Sequence, residues 1–298
     1  MVATRRLTEL ITGALPSLQL PEGPHVIALS GGADSAALAL LGVESGRQAT
    51  ALHIDHGLPG SPAMADAAGA VAAMLDLQLD VEAVQLQAGP STEERAREAR
   101  YGVFQRIDGP VLTGHTRDDS VETMLINLVR GTGPVGLTGI PRHRPPNIYR
   151  PILELTRSET REIATLAGLP FVDDPMNQDM TLTRNRMRLG VLPLIREINP
   201  QADGALARLA GILDRDVTYL EEMSARYYTG PDIPIGLVQT LPRVLADRLL
   251  RRALEEVGVG PTADRLDRMW SVASGQSDRQ DLADGRVVTR RGALLVIE

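Results

Sequence analysis

The first 130 residues alternate between short apolar segments and longer helix-like segments, and this alternation restricts the fold more than any other feature. The segments that we expect to form strands are residues 25–29, 49–54, 80–86 and 110–113. The expected helices lie at 35–46, 63–77, 93–107 and 117–130, and a short amphipathic helix precedes the first strand. Strands that alternate with helices through short loops form a parallel sheet with helices on both faces. The sequence therefore predicts an α/β fold, in which ligands bind at the carboxyl ends of the strands.

The pattern changes after Gly131. Residues 131–151 contain four glycines and five prolines and predict a long loop, and loops of that length are usually functional or mobile. Helical spacing returns at 156–167, 184–197, 201–229 and 241–257. The pair Asp284-Gly285 between two alternating segments predicts a β-hairpin near the end of the chain. We therefore place a boundary near Pro200, with an α/β domain at 1–200 and a smaller, mostly helical domain at 201–298.

Two residue types are absent from this chain of 298 residues: it has no cysteine, and all 31 of its Lys and Arg residues are arginine. The absence of cysteine excludes disulfides, thiolate-bound zinc, Cys-ligated iron–sulfur clusters and a cysteine nucleophile. The absence of lysine excludes Schiff-base chemistry and a Walker-A phosphate site that needs a lysine. Any catalysis must therefore use carboxylates, histidine, arginine, serine and backbone amides.

Charge and hydropathy restrict the partners and the compartment. The net charge of −7 argues against nucleic acid covering the whole surface, although it permits a local basic patch. No apolar run approaches the roughly 20 residues of a membrane span. Polar residues interrupt the apolar ones near the N-terminus, so no signal-peptide core is expected there. We therefore expect a cytoplasmic location and no membrane partner.

The most informative motif follows the first predicted strand and opens the first helix after it. It reads Ser30, Gly31, Gly32, Ala33, Asp34, Ser35. Glycines allow the backbone to turn tightly, and free N–H groups at a helix start bind anions. The two serines would add hydroxyl donors, and Asp34 suggests a Mg²⁺ ion that bridges to phosphate. The alternative is a structural glycine turn whose Asp and Ser cap the helix.

This loop resembles the PP-loop of the ATP pyrophosphatases, which binds the pyrophosphate end of ATP while ATP is split to AMP and PPi. Five further motifs follow in order: His53–Leu58, Gly114–Thr123, Arg150–Leu153, Asp174–Asn177 and Arg184–Arg188. Together they are similar to the tRNA(Ile)-lysidine synthetase family, in its short form, from about residue 20 to residue 200. The resemblance implies that nucleotide contacts come from the loop and from His53, Asp55 and Gly114.

The resemblance also implies an activity and a set of partners. The enzyme would use ATP and Mg²⁺ to adenylate the C2 carbonyl oxygen of the wobble cytidine in tRNA(Ile) with a CAU anticodon. The side-chain amine of free L-lysine would then displace AMP and leave lysidine. A homodimer is left open as the assembly state.

Two carboxylates suit this chemistry. Asp119 and Glu122 are three residues apart on a predicted helix, so both can lie on the same face at the carboxyl edge of the sheet. Such a pair can bind an ammonium ion or accept its proton. His115, at the preceding strand end, could donate to phosphate or act as the base. The choice of base among these three residues stays open, and the alternative is ordinary first-turn acids favoured by the helix dipole.

Several arginines are candidates for phosphate or RNA contacts. Arg97 resembles the arginine of the family's Ala-Arg-x-x-Arg-Tyr helix and would neutralise charge at the α-phosphorus. Arg184, Arg186 and Arg188 lie on one predicted helix and would contact the tRNA backbone or, at Arg184, the reacting phosphate. Residues 142–144 in the proline-rich loop are further candidates. For each set the alternative is a solvated or salt-bridged surface.

Two positions depart from the family pattern, and the family's longer form adds a second C-terminal domain. Pro59 follows Leu58 where a basic residue is usual, and Ser120 replaces a glutamine. We expect tRNA discrimination to come from the segment after residue 131 and from the region 201–298. The candidates there are Arg243, Arg248, Arg251 and Arg252.

Three other functions are compatible with a PP-loop. Transfer of sulfur to tRNA needs a thiolate or persulfide, and the absence of cysteine argues against it. Amidation of a small acid would not require the basic helix at 184–188 or a helical C-terminal domain. A nucleotide sensor without catalysis would not need Asp34, Asp119 and Glu122 together.

Overall fold

The computed structural model describes residues 2–58, 60–85 and 92–298. Pro59 and the end of the predicted third strand, at Leu86, lie outside the described residues. The chain divides into two compact units, Met1–Gly211 and Ile212–Glu298. The functional domain boundary near Pro200 stays a prediction.

The first unit is built on a six-stranded sheet with the order β3-β2-β1-β4-β6-β5. Its strands are β1 (His25–Ala28), β2 (Ala49–Asp55), β3 (Leu79–Ala83), β4 (Val111–Leu112), β5 (His143–Arg144) and β6 (Ile148–Tyr149). All neighbours pair in parallel except β5 and β6. The predicted α/β fold with a mainly parallel sheet is therefore confirmed.

Among the residues that the structure describes, ten α-helices lie wholly or partly in this unit. They are α1 (Val2–Ala14), α2 (Ala33–Glu44), α3 (Ser61–Met74), α4 (Thr92–Phe104), α5 (Arg117–Val129), α6 (Pro134–Leu137), α7 (Arg157–Leu166), α8 (Thr183–Arg186), α9 (Leu192–Ile198) and α10 (Ala202–Ala225). Helix α2 is almost wholly apolar, and Ala36, Leu38 and Leu41 on it are fully buried. It packs against the sheet and against α7, which places the start of both helices beside the ends of β1 and β4.

Two segments differ from the sequence prediction. The 131–151 segment is not one long loop, because β5 and β6 form an antiparallel pair within it and β6 joins the sheet beside β4. Strands of two residues are too short to show an alternating pattern. The predicted helix at 184–197 is interrupted by one π-helical turn, Met187–Val191, between α8 and α9. Pro193 has no N–H to continue the α-helical ladder, which accounts for an interruption at this point.

The second unit packs helices against a small antiparallel sheet. The end of α10 is followed by α11 (Ile235–Thr240), α12 (Arg243–Glu256) and α13 (Ala263–Ala273). The strands β7 (Ile233–Pro234), β8 (Arg279–Asp281), β9 (Val287–Arg291) and β10 (Leu294–Ile297) pair in the order β7-β10-β9-β8. The turn at Asp284-Gly285 is present, but a second turn at Gly292 makes the predicted hairpin a three-stranded segment.

Within the described ranges, no helix is both long enough and apolar enough to cross a membrane.

Candidate active site

The loop between β1 and α2 has the geometry of an anion-binding turn, and we call residues 30–35 the phosphate loop. Gly31 has a φ of +86°, and a Cβ atom there would lie 2.3 Å from the carbonyl oxygen of Met64. Only glycine satisfies both conditions without moving backbone. Gly32 is extended and precedes the first turn of α2, whose N–H groups have no acceptor within the helix. The loop therefore directs backbone donors toward the carboxyl edge of the sheet.

The serine hydroxyls brace this loop. Ser35 Oγ donates to the carbonyl oxygen of Gly32 at 2.9 Å and accepts from the backbone N–H of Ser30 at 3.1 Å. The hydroxyl oxygens of Ser30 and Ser35 are 3.0 Å apart. A Cβ at Gly114, after β4, would lie 3.1 Å from the backbone of Asp34 and Ser35. The structure therefore brings Gly114 into van der Waals range of the loop, as its place at the end of β4 suggests.

Asp34 is the acidic residue of the loop, and two side chains of α7 approach it. Its Oδ1 accepts a hydrogen bond from the hydroxyl of Thr160. Its Oδ2 lies 3.8 Å from Nε of Arg157, beyond hydrogen-bond distance. Burial raises the pKa of Asp34 to about 6, since the Thr160 hydrogen bond offsets only part of the cost of an ionised carboxylate there. An approaching cation would therefore stabilise the ionised form.

Asp119 serves both the helix and the site. Its Oδ2 accepts from the backbone N–H of Thr116 at 2.7 Å and from the Thr116 hydroxyl at 2.9 Å, which completes a capping box at the start of α5. Its other oxygen, Oδ1, is held by arginines. Oδ2 of Asp119 therefore acts as an ordinary first-turn acid of the helix, whereas Oδ1 faces the site.

Three arginines surround the carboxylates of Asp119 and Glu122, a group that we call the ion cluster. Arg157 Nη2 lies 2.7 Å from Asp119 Oδ1, and its Nη1 lies 3.1 Å from Glu122 Oε1. Arg184 Nε donates to Glu122 Oε2 at 2.8 Å, and its Nη2 lies 3.0 Å from Asp119 Oδ1. Arg188 Nε donates to Glu122 Oε1 at 2.8 Å. The Glu122 side chain has no exposed surface, so these contacts replace its hydration.

The arginines control the protonation of the carboxylates. Burial alone would raise the pKa of Asp119, but the guanidinium groups of Arg184 and Arg157 outweigh it and hold that pKa well below its usual range. The pKa of Glu122 is also lowered, because the hydrogen bond from Arg188 and the charge of Arg184 outweigh the effect of burial. Both groups are therefore ionised at neutral pH and bind protons weakly.

His115 is neutral in this environment. Burial lowers its pKa to about 3, and the charge of Asp119 compensates only partly. Its Nδ1 lies 3.0 Å from the hydroxyl of Thr113, which donates to the carbonyl oxygen of Tyr149 at 3.3 Å. We therefore assign the ring proton to Nδ1, which leaves Nε2 as a hydrogen-bond acceptor. In this tautomer Nε2 accepts a hydrogen bond, and the role of His115 in the reaction stays a prediction.

Other predicted residues lie around this centre. His53 is buried at the end of β2, and its Nδ1 lies 2.8 Å from the carbonyl oxygen of Leu29, just before the phosphate loop. Asp55 accepts from the backbone N–H of Gly57 at 2.8 Å. Arg97 is not part of the ion cluster, because its guanidinium lies over the ring of Tyr101, 5.3 Å from the centroid.

The predicted RNA-binding arginines have different environments. Arg186 is exposed, whereas Arg184 and Arg188 are committed to the ion cluster. In the second unit, Arg243 pairs with Asp247, and both Arg248 and Arg252 pair with Glu221. Most of these arginines are therefore not free basic groups in this structure. Arg243 pairs with an acid on its own helix, whereas the partners of Arg184, Arg188, Arg248 and Arg252 are acidic residues distant in sequence.

Sequence reasoning missed Arg157 and Thr160. Arg157 is the first residue of α7, whose start is defined by a capping box between Thr156 and Glu159. Its backbone N–H donates to Asp118 Oδ2 at 2.8 Å, which ties the start of α7 to α5. The motif Thr156-x-x-Glu159 predicts this helix start. Nothing local indicates that the side chain of Arg157 reaches three carboxylates on two other elements.

Comparisons with known proteins identify the family and the fold of this chain. The family described as the PP-loop domain matches residues 3–195. A tRNA(Ile)-lysidine synthase of Thermus thermophilus is 38% identical over 93% of this chain, and the chain spans 57% of that relative's length. The tRNA(Ile)-lysidine synthases of Salinispora tropica and Nocardia farcinica are 35% and 37% identical over 94% and 91% of this chain, and 93% and 86% of their own lengths are matched.

A solved structure shows the same fold. The U34-tRNA thiolase NcsA from Methanococcus maripaludis, solved with its [4Fe-4S] cluster, superposes with a TM-score of 0.55 at 16% identity. The match covers 72% of this chain and 80% of that protein. At this level of identity the likeness concerns the fold alone.

Proposed function

This chain belongs to the tRNA(Ile)-lysidine synthase family, and from that premise we propose that it ligates lysine to the wobble cytidine of tRNA(Ile) with a CAU anticodon. The C2 carbonyl oxygen of the cytidine attacks the α-phosphorus of ATP, and pyrophosphate leaves. The amine nitrogen of L-lysine then attacks C2, and AMP leaves. The proton lost by the amine must pass to a base in the site or to water.

One observation carries the proposal: the side chain of Arg157 lies near both the phosphate loop and the carboxylate pair. Its guanidinium is 3.8 Å from Asp34 Oδ2 and within 3.1 Å of Asp119 and Glu122. The side chain of Arg157 is therefore a neighbour both of the loop that can bind an anion and of the carboxylate pair that can bind a cation. A reaction between a nucleotide and an amine needs sites for both at this distance.

We assign the nucleotide to the edge of the sheet formed by β1, β2 and β4. The loop residues 30–35 and Gly114 would hold its phosphates, and His53 and Asp55 lie at the strand end beside them. Arg184 and Arg97 are the proposed donors to charge that develops on phosphate. Asp119 and Glu122 would bind the ammonium group of lysine.

The pKa values show how the three candidate bases differ. Asp119 and Glu122 bind protons weakly while the arginines surround them. His115 is neutral and offers a lone pair at Nε2, so it can accept a hydrogen bond without first losing a proton. Displacement of the arginines would raise the proton affinity of both carboxylates. The base therefore remains one of these three residues.

Magnesium fits the donor chemistry at Asp34. In phosphate sites Mg²⁺ uses one or two carboxylates together with phosphate oxygens. Among the residues that the structure describes, no group of three His, Asp or Glu side chains forms a complete metal site, so the nucleotide would supply other ligands. A bound Mg²⁺ would neutralise phosphate charge and favour departure of pyrophosphate.

A cytoplasmic location and a homodimer stay predictions.

The test is direct conversion of a transcript. We expect purified protein with ATP, Mg²⁺, labelled lysine and the CAU-anticodon tRNA(Ile) transcript to yield lysidine, detected by nucleoside mass spectrometry. A methionine tRNA transcript with the same anticodon is the matched control. Absence of label in the RNA, while the protein still binds ATP, would reject the proposal.

A further inference from the structure

The ion cluster occupies the position where the proposed function needs an ammonium ion. All the oxygens of Asp119 and Glu122 accept hydrogen bonds, from Arg157, Arg184 and Arg188 or from Thr116. Two carboxylates face three guanidiniums, and Asp34 lies beside one of these. An amine that approached this cluster would find its negative charge already neutralised. The pair therefore cannot bind lysine tightly unless at least one arginine moves.

Arg157 has the clearest reason to move. It is the guanidinium of the cluster that also lies near the phosphate loop, where its Nε faces Asp34 Oδ2 at 3.8 Å. Phosphate oxygens in the loop offer a planar guanidinium bidentate partners that compete with a carboxylate pair. Its side chain retains 28% exposure, so it can rotate without disrupting a closed core. Its departure would remove one guanidinium contact from Asp119 Oδ1 and one from Glu122 Oε1, while Arg184 and Arg188 would still hold the two carboxylates in place.

We propose that Arg157 is a positioning residue that couples the two substrate sites: it shields the carboxylate pair until nucleotide phosphate draws its guanidinium away. This inference rests on the proposed function. Because coupling between sites is reciprocal, nucleotide must increase the affinity for lysine, and lysine must increase the affinity for nucleotide by the same factor. Measured coupling of this kind typically lies between about 5-fold and 150-fold.

The test measures lysine binding with and without nucleotide. Equilibrium dialysis uses labelled lysine, the CAU transcript and constant Mg²⁺ in every arm. Half of the arms also contain an ATP analogue with a methylene group between the α- and β-phosphorus, which prevents turnover. In the natural protein we expect the analogue to tighten lysine binding at least about fivefold.

The variant Arg157→Gln removes the shield. We expect it to bind lysine more tightly than the natural protein when nucleotide is absent, and to show a nucleotide effect below about twofold. Arg161→Gln is the matched control, since Arg161 lies one turn later on α7 and pairs with exposed Asp173. Thermal unfolding checks the fold of each variant. Arg188→Gln is the second variant, and we expect a smaller reduction of the coupling because Arg188 has no contact with Asp34 among its described ion pairs.

Each outcome decides the proposal. Loss of coupling in Arg157→Gln, with coupling kept in Arg161→Gln, supports it. The proposal is overturned if nucleotide changes lysine affinity equally in Arg157→Gln and in the natural protein. It is also overturned if nucleotide does not change the lysine affinity of the natural protein. Absence of lysine binding in every arm overturns the proposed function, and the inference with it.

Discussion

At the scale of single residues, the candidate site depends on charges that are buried only because they are paired. Glu122 has a side chain with no exposed surface and accepts hydrogen bonds from three arginines. Such an arrangement adds little stability when complete, because desolvation of the ions opposes their attraction. It is costly when one partner is removed, since the remaining charges stay buried.

The substitution Glu122→Gln tests this balance. It leaves three guanidiniums around a neutral amide, and we expect the free energy of unfolding to fall by about 3 to 5 kcal/mol. Urea denaturation provides the measurement. Glu82→Gln is the control, because Glu82 pairs with Arg106 on the surface. This substitution should lower the free energy of unfolding by about 0 to 1 kcal/mol. Similar losses in the two variants would show that the cluster is screened by solvent.

Asp34 is the residue on which turnover should depend most directly. We expect Asp34→Ala to lower kcat at least about 100-fold, equivalent to about 2.7 kcal/mol of transition-state stabilisation, because no carboxylate would then hold Mg²⁺ at the loop. Single-turnover formation of lysidine measures the effect, and circular dichroism confirms the fold. Full activity in this variant would remove the proposed metal-bridging role.

At the scale of elements, the phosphate loop shows why two adjacent glycines are not equivalent. Gly31 combines a positive φ with a backbone carbonyl in the space of a Cβ atom. Gly32 has a φ of −91°, and the nearest atom to its Cβ position is Ser30 Oγ at 3.6 Å. The first position requires glycine, and the second has room for a methyl group.

This difference predicts unequal effects of the same substitution. Gly31→Ala should distort the loop and weaken nucleotide binding at least about tenfold, whereas Gly32→Ala should change it less than about threefold, since only the first meets backbone. Titration with ATP, followed by calorimetry, distinguishes them. The reverse order would mean that the loop changes its backbone conformation when nucleotide binds.

The helical segment from α8 to α9 presents Arg184 and Arg188 to α5. A π-helical turn follows α8 directly, and such turns occur often at functional sites. Arg184 belongs to α8 and Arg188 to the π turn, yet both reach Glu122. The sequence pattern predicted one helix that carries these arginines. Their partners are determined by how this segment packs on α5.

At the scale of the whole molecule, histidines with lowered pKa values make stability depend on pH. Burial lowers the pKa of His56 to about 4 and that of His115 to about 3, from 6.5 in an unfolded chain. Between pH 6.5 and pH 4 the unfolded state therefore binds more protons at these two residues than the folded state does, and stability falls as pH falls. Asp34 acts in the opposite direction, because its pKa is raised to about 6.

Burial also lowers the pKa of His25, so three histidines outweigh one aspartate in this window, and we expect a net loss of stability between pH 6.5 and pH 5. Each group contributes at most about 1.4 kcal/mol per pH unit. Urea denaturation at several pH values measures the slope, and the double variant His56→Gln, His115→Gln should reduce it. An unchanged slope in that variant would contradict the lowered pKa values.

The fold was largely predictable, whereas the environment of the site was not. The order of strands and helices appears in local apolar patterns. Within the described residues, the four predicted strands overlap β1 to β4. The β5–β6 pair was not predictable, because β5 consists of two polar residues among prolines and β6 is held in the sheet by pairing with β4. Asp119 and Glu122 were identified by their spacing, but Arg184 and Arg188 were assigned to phosphate or RNA, and Arg157 was not recognised.

The division between the two kinds of information follows distance along the chain. The sequence by itself determined the α/β order, the phosphate loop and the spacing of the carboxylates, because each depends on residues within a few positions of one another. Only the tertiary structure decided which charges meet, since Arg157 and Arg184 lie 35 and 62 positions from Glu122. A side chain's charge is visible in the sequence, but its neutralising partner depends on the packing of distant elements.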